Sequence, residues 1–585
     1  MLSPARMLHA AAVVVALSTL PVLKAQAGAA QQSTPQPQNP PPQDQPPKGK
    51  VIFSRSIDEN GNTTTTAGPA ATTDLPLPSS PTATDAERQA VTFTALDLDV
   101  RLRPAQHQIA AITLPTPLTP GATLQLDATY SGAITTNAQR LLTIGTPEDL
   151  ALHSDWDRID NGFTGLRGFG NVVWYPVSSV PVILGDGARL FDEMGEHKLR
   201  LSGAQFSLRL TVEFPQAQAP TIALVNGHPV PLTVTDAAGG DADVLSIATA
   251  ETGSTTLGFE APSLFVATRK AHLGPNLMAW TTADNDVNVQ FWIDAATGVT
   301  PFLQGWLGQR PRAQLTLLDL PDPQDAPFET GAVLVTRLRD GDAEQLKGVL
   351  AHALTHAWMQ SPRAWLSEGV AHFMGTLWIE KTQGRERALS ALESGRQSLA
   401  LAEPESPGAG SGQPLALATS PAYYRTKATY VLWMLRDIAG DATLSAALRA
   451  YDPAKDTGNP HPSHFETLLE QAGNRRDLSW FFADWVDTDK GLPDVDVEHA
   501  FPTAAESGNW IVAVNLANSG YAQTEVPVTV RNDSASVTQR VRVPGHGKAV
   551  QRILIQGKPA EVQVNDGTVP ETQASMHVTK LENAP

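Results

Sequence analysis

The spacing of apolar residues changes period twice along this chain, and that change restricts the folds open to it. From Val91 onward apolar residues alternate with others, as at Leu96, Leu98, Val100 and Leu102, the period-two pattern of a half-buried strand. Further strands are expected near Thr123 to Tyr130, Lys198 to Leu201, Phe206 to Phe214 and Thr221 to Val225, with Asn226-Gly227 as a hairpin turn after the last. Between Ala110 and Gly121 the chain offers little strand material. Residues 259–495 mix apolar strands, at Ala313 to Leu318 and Ala332 to Thr336, with amphipathic helical patterns at Arg385 to Leu401, Tyr424 to Ile438 and Phe465 to Ala472. From Trp510 to Val564 short alternating strands return, with turn residues between them at roughly 8 to 12 residue intervals, as in a β-sandwich.

The expected architecture is an α+β multidomain chain: an N-terminal β domain over 90–258, a mixed strand and helix domain over 259–495, and a C-terminal immunoglobulin-like β-sandwich over 505–585. A length of 585 residues with 41% hydrophobic content supplies several packed cores.

The start of the chain reads as an address. Met1 to Ala27 holds Arg6, an apolar stretch around Ala10 to Leu20, and Ala25-Gln26-Ala27 as a small-residue cleavage site, the layout of a secretory signal peptide. An exported protein, periplasmic or extracellular, is expected. Residues 28–89 are rich in Pro, Gln, Ser and Thr, which suits a linker. No later segment has 18 consecutive apolar residues, so no membrane span is expected in the mature chain. The absence of Cys excludes disulfides and thiolate metal ligands. A net charge of −18, from 60 acidic and 42 basic residues, repels phosphate backbones, and nucleic acid is not an expected partner.

Chemistry concentrates in Gly348 to Phe373. Asp342 to Gln360 is expected to be helical, which puts His352 and His356 one turn apart on one face. Pro362 ends that helix, and a second, Trp365 to Lys381, can fold back to bring Glu368 to the same point. Two histidines and one carboxylate, with a fourth position open, form the pattern of a catalytic zinc site. In the HExxH motif the Glu is the general base; here the five residues are His352-Ala353-Leu354-Thr355-His356, so the ligand positions are filled and the base position is Ala353. The same two histidines on a helix also fit a plain packing role.

The run Val349 to Trp358, together with Trp365-Leu366-Ser367-Glu368-Gly369, resembles the HELxHxW and WLxEG segments of the gluzincin zinc peptidases, and within that clan the membrane alanyl aminopeptidase (aminopeptidase N) family. Asp477 to Trp485 with Gly491-Leu492-Pro493 resembles that family's closing signature, and Trp174-Tyr175-Pro176 its aromatic element. The resemblance implies a thermolysin-like catalytic domain, one zinc ion on His352, His356 and Glu368, and a peptide or protein as substrate or ligand. Four departures accompany it. Eleven residues separate His356 from Glu368, a shorter interval than the family's. His372 stands where thermolysin-type relatives place an acidic residue, and can accept a hydrogen bond, add a ligand or face solvent. The family's GAMEN element is absent, and the nearest acid is Glu329. In Tyr423-Tyr424-Arg425-Thr426-Lys427-Ala428, which matches the family's YxKGA segment, Arg425 occupies the position of the oxyanion-stabilising Tyr, with Tyr424 one residue away. Three functions stay open: a metallopeptidase with impaired hydrolysis, a pseudopeptidase that binds peptides or a partner, and a structural protein.

Overall fold

The computed structural model describes residues 134–581 except 144, 161, 169–173, 176–195, 197, 200–201, 216–217, 236–244, 260–261, 409–411, 458–459, 475–476 and 574–575; before residue 134 it describes the backbone of six short strands. The expected signal peptide lies outside the described residues. The chain divides into two compact units, one within Leu20–Gly132 and one within Ala133–Pro585.

In the first unit, Phe53–Ile57 pairs with Thr63–Ala67, inside the stretch expected to be a linker. Four β-branched threonines in a row give that stretch its strand preference. Ile109–Thr113 pairs with Asp99–Arg103, which corrects the expectation of little strand material after Ala110. Thr92–Thr94 pairs with Asp127–Thr129.

The second unit begins with a five-stranded antiparallel sheet ordered His228–Val230, Ile222–Val225, Leu264–Ala267, Phe163–Leu166, Arg158–Asp160. The Asn226-Gly227 hairpin forms with both residues at positive φ. Leu264–Ala267 carries this sheet beyond the expected boundary at residue 258. Lys198 and Leu199 lie in a helical turn rather than the expected strand.

Next comes a mixed sheet built from β1 (Lys270–Gly274), β2 (Leu277–Thr281), β3 (Leu315–Asp319), β4 (Phe328–Thr330) and β5 (Val333–Thr336), in the order β1-β2-β3-β5-β4. β2, β3 and β5 run parallel, while β4 returns antiparallel along the edge. Period-two alternation sorts its residues between two faces. Leu318, Phe328, Val333 and Val335 pack on Phe163 and Phe265 of the preceding sheet and on Trp156 just before its edge strand. Ala279, Leu317 and Leu334 face the helices.

Those helices are α1 (Val289–Leu307), α2 (Ala343–Trp358), α3 (Ala364–Gln383), α4 (Arg385–Ala402), α5 (Ala428–Ala439), α6 (Asp441–Ala450) and α7 (His464–Ala472). Asp342 caps α2 by accepting from the backbone N–H groups of Glu344 and Gln345. α7 opens with a capping box between Ser463 and Glu466. Beyond them, two antiparallel sheets of three and four strands, starting at Val495–Ala504, bury Val512, Val514, Val526, Val528, Ile553 and Val562 in the core they share with the helices. Among the described residues no helix is long and apolar enough to cross a membrane.

Candidate metal centre

The cross-strand row Ala279, Leu317, Leu334 ends on the edge strand at Glu329, which is paired with Leu334. Because Phe328 and Thr330 turn toward the neighbouring sheet side of β4 and are buried there, alternation sends the Glu329 side chain to the face that α2 covers. The loop before β4 is pinned from outside: Trp156 Nε1 donates to the Ala326 carbonyl (2.8 Å), and Asp325 takes His153 Nδ1 and Arg158 Nη1, each at 3.1 Å. Glu329 thus stands on an anchored strand.

On α2, His352 and His356 lie one turn apart, with ring centroids 5.2 Å from each other. His352 Nε2 donates to Glu329 Oε2 across 2.9 Å, and His356 Nε2 is 3.7 Å from Glu329 Oε1. α3 packs against α2 and brings His372 to 4.5 Å from His352, ring centre to ring centre. The side chain of Glu368 accepts from Arg425 Nε at 3.0 Å. Arg425 sits in a wide π-type turn, Ala422–Lys427, that runs directly into α5. Such turns re-aim side chains relative to a regular helix. Tyr424, in the same turn, is buried against Phe259, edge to face at 5.7 Å.

The electrostatics follow from burial and these pairs. Burial works against the Glu329 carboxylate, but the facing His352 and then His356 outweigh it and hold its pKa below the ordinary value. Burial disfavours the His352 cation, yet Glu329 reverses the balance and raises it. For His356 burial prevails and lowers its pKa from the ordinary value. His372 is pushed well down by burial and by the neighbouring His352. Glu368 is held far below the carboxylate range because Arg425 overcomes the cost of burial.

Two triads have ligand atoms all within 4.8 Å of one another here: Glu329, His352 and His356, and His352, Glu368 and His372. His352 belongs to both. The expected set His352, His356 and Glu368 is not one of these triads, although the charge of Glu368 acts on both histidines. The residues fit a cation: both ring nitrogens of His356 and Glu329 Oε1 are buried without a hydrogen-bond partner among the described residues. Unpartnered buried polar atoms are costly, and an ion shared by two imidazoles and a carboxylate satisfies them. In a further cluster, His153, Asp322 and Asp325, the buried Asp325 is already paired with Arg158. Ala353 is fully buried beside the pair and brings no acid-base group to it.

The aromatic elements serve packing. Trp174 Nε1 donates to the Pro262 carbonyl at 2.7 Å, and Pro176 lies outside the described residues. Phe481, Phe482 and Trp485 are buried in the helical core. Lys427 is fully enclosed between Glu403 and Asp489.

No family model matches the chain, and no curated protein matches it. One solved structure similar to it is the Legionella pneumophila aminopeptidase A in complex with aspartic acid, at 12% identity and a TM-score of 0.46, covering 63% of this chain and 45% of that one. The chain thus spans less than half the length of that structure.

Proposed function

We propose that the protein is an exported, metal-centred relative of the aminopeptidases whose cleft holds a peptide or protein chain, with hydrolysis impaired because Ala353 occupies the general-base position. In this reading the mixed domain is thermolysin-like, the C-terminal sheets are immunoglobulin-like, and the metal is a single zinc ion held through His352 and His356. The observation that carries it is the convergence of two imidazoles on one half-buried carboxylate with buried polar atoms left without hydrogen-bond partners among the described residues.

A zinc ion held there would supply Lewis-acid polarisation of a substrate carbonyl. His352 and His356 would hold it from one helix face. Arg425 keeps Glu368 charged at the rim and can orient an anionic or carbonyl group of a bound chain. Nothing at Ala353 takes up a water proton, and the loss of a positioned base typically lowers rate by about 10² to 10⁴.

Elemental mass spectrometry of the purified protein tests the metal: about one zinc per chain is expected by this reading, lost in His356→Ala. Peptide turnover of the wild-type protein, compared with Ala353→Glu checked for folding by circular dichroism, tests the impairment. Efficient wild-type turnover that Ala353→Glu does not raise ends the impaired reading.

A further inference from the structure

We propose that the carboxylate ligand of this metal centre is Glu329, on the edge strand, and that Glu368 stands outside the metal's ligand set as the partner of Arg425. The inference rests on the metal-binding reading above and names the group that completes it.

Three observations carry it. Glu329 is the carboxylate whose two oxygens address both histidines, Oε2 toward His352 Nε2 at 2.9 Å and Oε1 toward His356 Nε2 at 3.7 Å. These three residues form a triad with ligand atoms mutually within 4.8 Å, whereas Glu368 enters a triad only with His352 and His372. Second, His356 is about as buried as a side chain can be, at 2% exposure, and both its nitrogens lack a partner among the described residues, as does Glu329 Oε1. That is the arrangement an ion between them resolves, and it involves no atom of Glu368. Third, Glu368 is already neutralised: Arg425 Nε holds it at 3.0 Å. Ligating a metal through Glu368 requires breaking this pair, while ligating through Glu329 breaks no ion pair except the His352 contact that the ion itself replaces.

The arrangement also explains the short interval between His356 and Glu368. When the third ligand comes from the sheet beneath α2, the second helix has no metal to reach. Its own histidine, His372, then packs edge to face on the His352 ring, 4.5 Å between centroids, and helps to fix it.

The test uses the full chain, stripped with a chelator and titrated with zinc, and separately with cobalt(II) as a visible-absorption probe. Glu329→Gln is expected to weaken zinc binding by at least about 100-fold and to change the cobalt spectrum. Glu368→Gln is expected to stay within about threefold of wild type with an unchanged spectrum, and His356→Ala to lose the metal. Should Glu329→Gln not fold, Glu329→Asp carries the same spectral expectation. Loss of zinc in Glu368→Gln, alone or alongside Glu329→Gln, overturns the assignment and leaves the metal reading standing. Absence of zinc binding in the wild-type chain overturns both.

Discussion

Gly369 and Ala428 meet across the crossing of α3 and α5 so closely that a Cβ built on the glycine would stand 2.6 Å from the alanine Cβ. Gly369 follows Glu368, and Ala428 lies three residues beyond Arg425. The close approach of the two backbones therefore sets the span that the Glu368–Arg425 pair bridges. Gly369→Ala is expected to destabilise the protein by about 1 to 3 kcal/mol through overpacking and to loosen that pair. Denaturant unfolding followed by tryptophan fluorescence checks it; an unchanged midpoint means that the helices do not touch here.

The Arg425–Glu368 pair is partly open to water, with side chains 34% and 20% exposed, so its worth is below that of a sealed pair. Arg425→Met leaves Glu368 unpaired near Glu329 and is expected to cost about 1 to 2 kcal/mol. Glu368→Gln in that background recovers most of the loss. A double-mutant cycle on unfolding free energy reads the coupling, and additive single effects would show that the two side chains do not interact.

The site was legible where the chemistry is local. His352 and His356 share a face because four residues make about one helical turn, Asp342 announces the start of α2, and Pro362 marks its end. Gly369 stood in a recognisable segment, although only the packing shows why no side chain fits there. Glu329 was a different matter. Its place depends on β4 lying antiparallel at the sheet edge, which is decided by long-range pairing, and no spacing in the sequence encodes that. The π-type turn that holds Tyr424 and Arg425 was likewise announced by no local pattern. Helix α1 escaped notice because Pro301 lies inside it and Gly298 and Gly305 interrupt its pattern. Its buried face, from Trp292 to Leu307, holds it against α2 regardless.

Lys427 offers a sharper test of the helical core. Its ammonium is 2.8 Å from Glu403 and 3.0 Å from Asp489, with the three side chains 0%, 3% and 6% exposed. Lys427→Met removes the cation and leaves the ionised Asp489 sealed beside Glu403 without a counter-charge, at an expected cost of about 3 to 5 kcal/mol. The visible outcome is a large fall in the unfolding midpoint or failure to accumulate as folded protein. A midpoint close to wild type would sink the idea that this amine links the end of α4 to the loop at Asp489.

The same trio gives the protein a pH dependence with a definite sign. Burial, opposed only in part by Lys427, pushes the Glu403 carboxyl up to about 8, while Asp489, on the same amine, is lowered. A proton on Glu403 also gives Asp489 Oδ2, otherwise buried without a hydrogen-bond partner among the described residues, a donor. The unfolded chain releases the Glu403 proton near pH 4.5, whereas the folded chain keeps it to about 8. Between those values the folded state binds more protons, so stability falls as pH rises. The expected loss from this group is on the order of 2 to 4 kcal/mol across the window. Glu466, raised to about 7 chiefly by burial, adds a smaller slope of the same sign. Glu403→Gln keeps a hydrogen-bond donor and removes the titration, so its unfolding midpoint is expected to vary less between pH 5 and pH 8, with the residual slope set by the other shifted groups, Glu466 and the site histidines among them. Denaturant unfolding at unit pH intervals measures both curves. If wild type and Glu403→Gln run parallel, Glu403 is ionised in the folded protein and the shared proton does not exist.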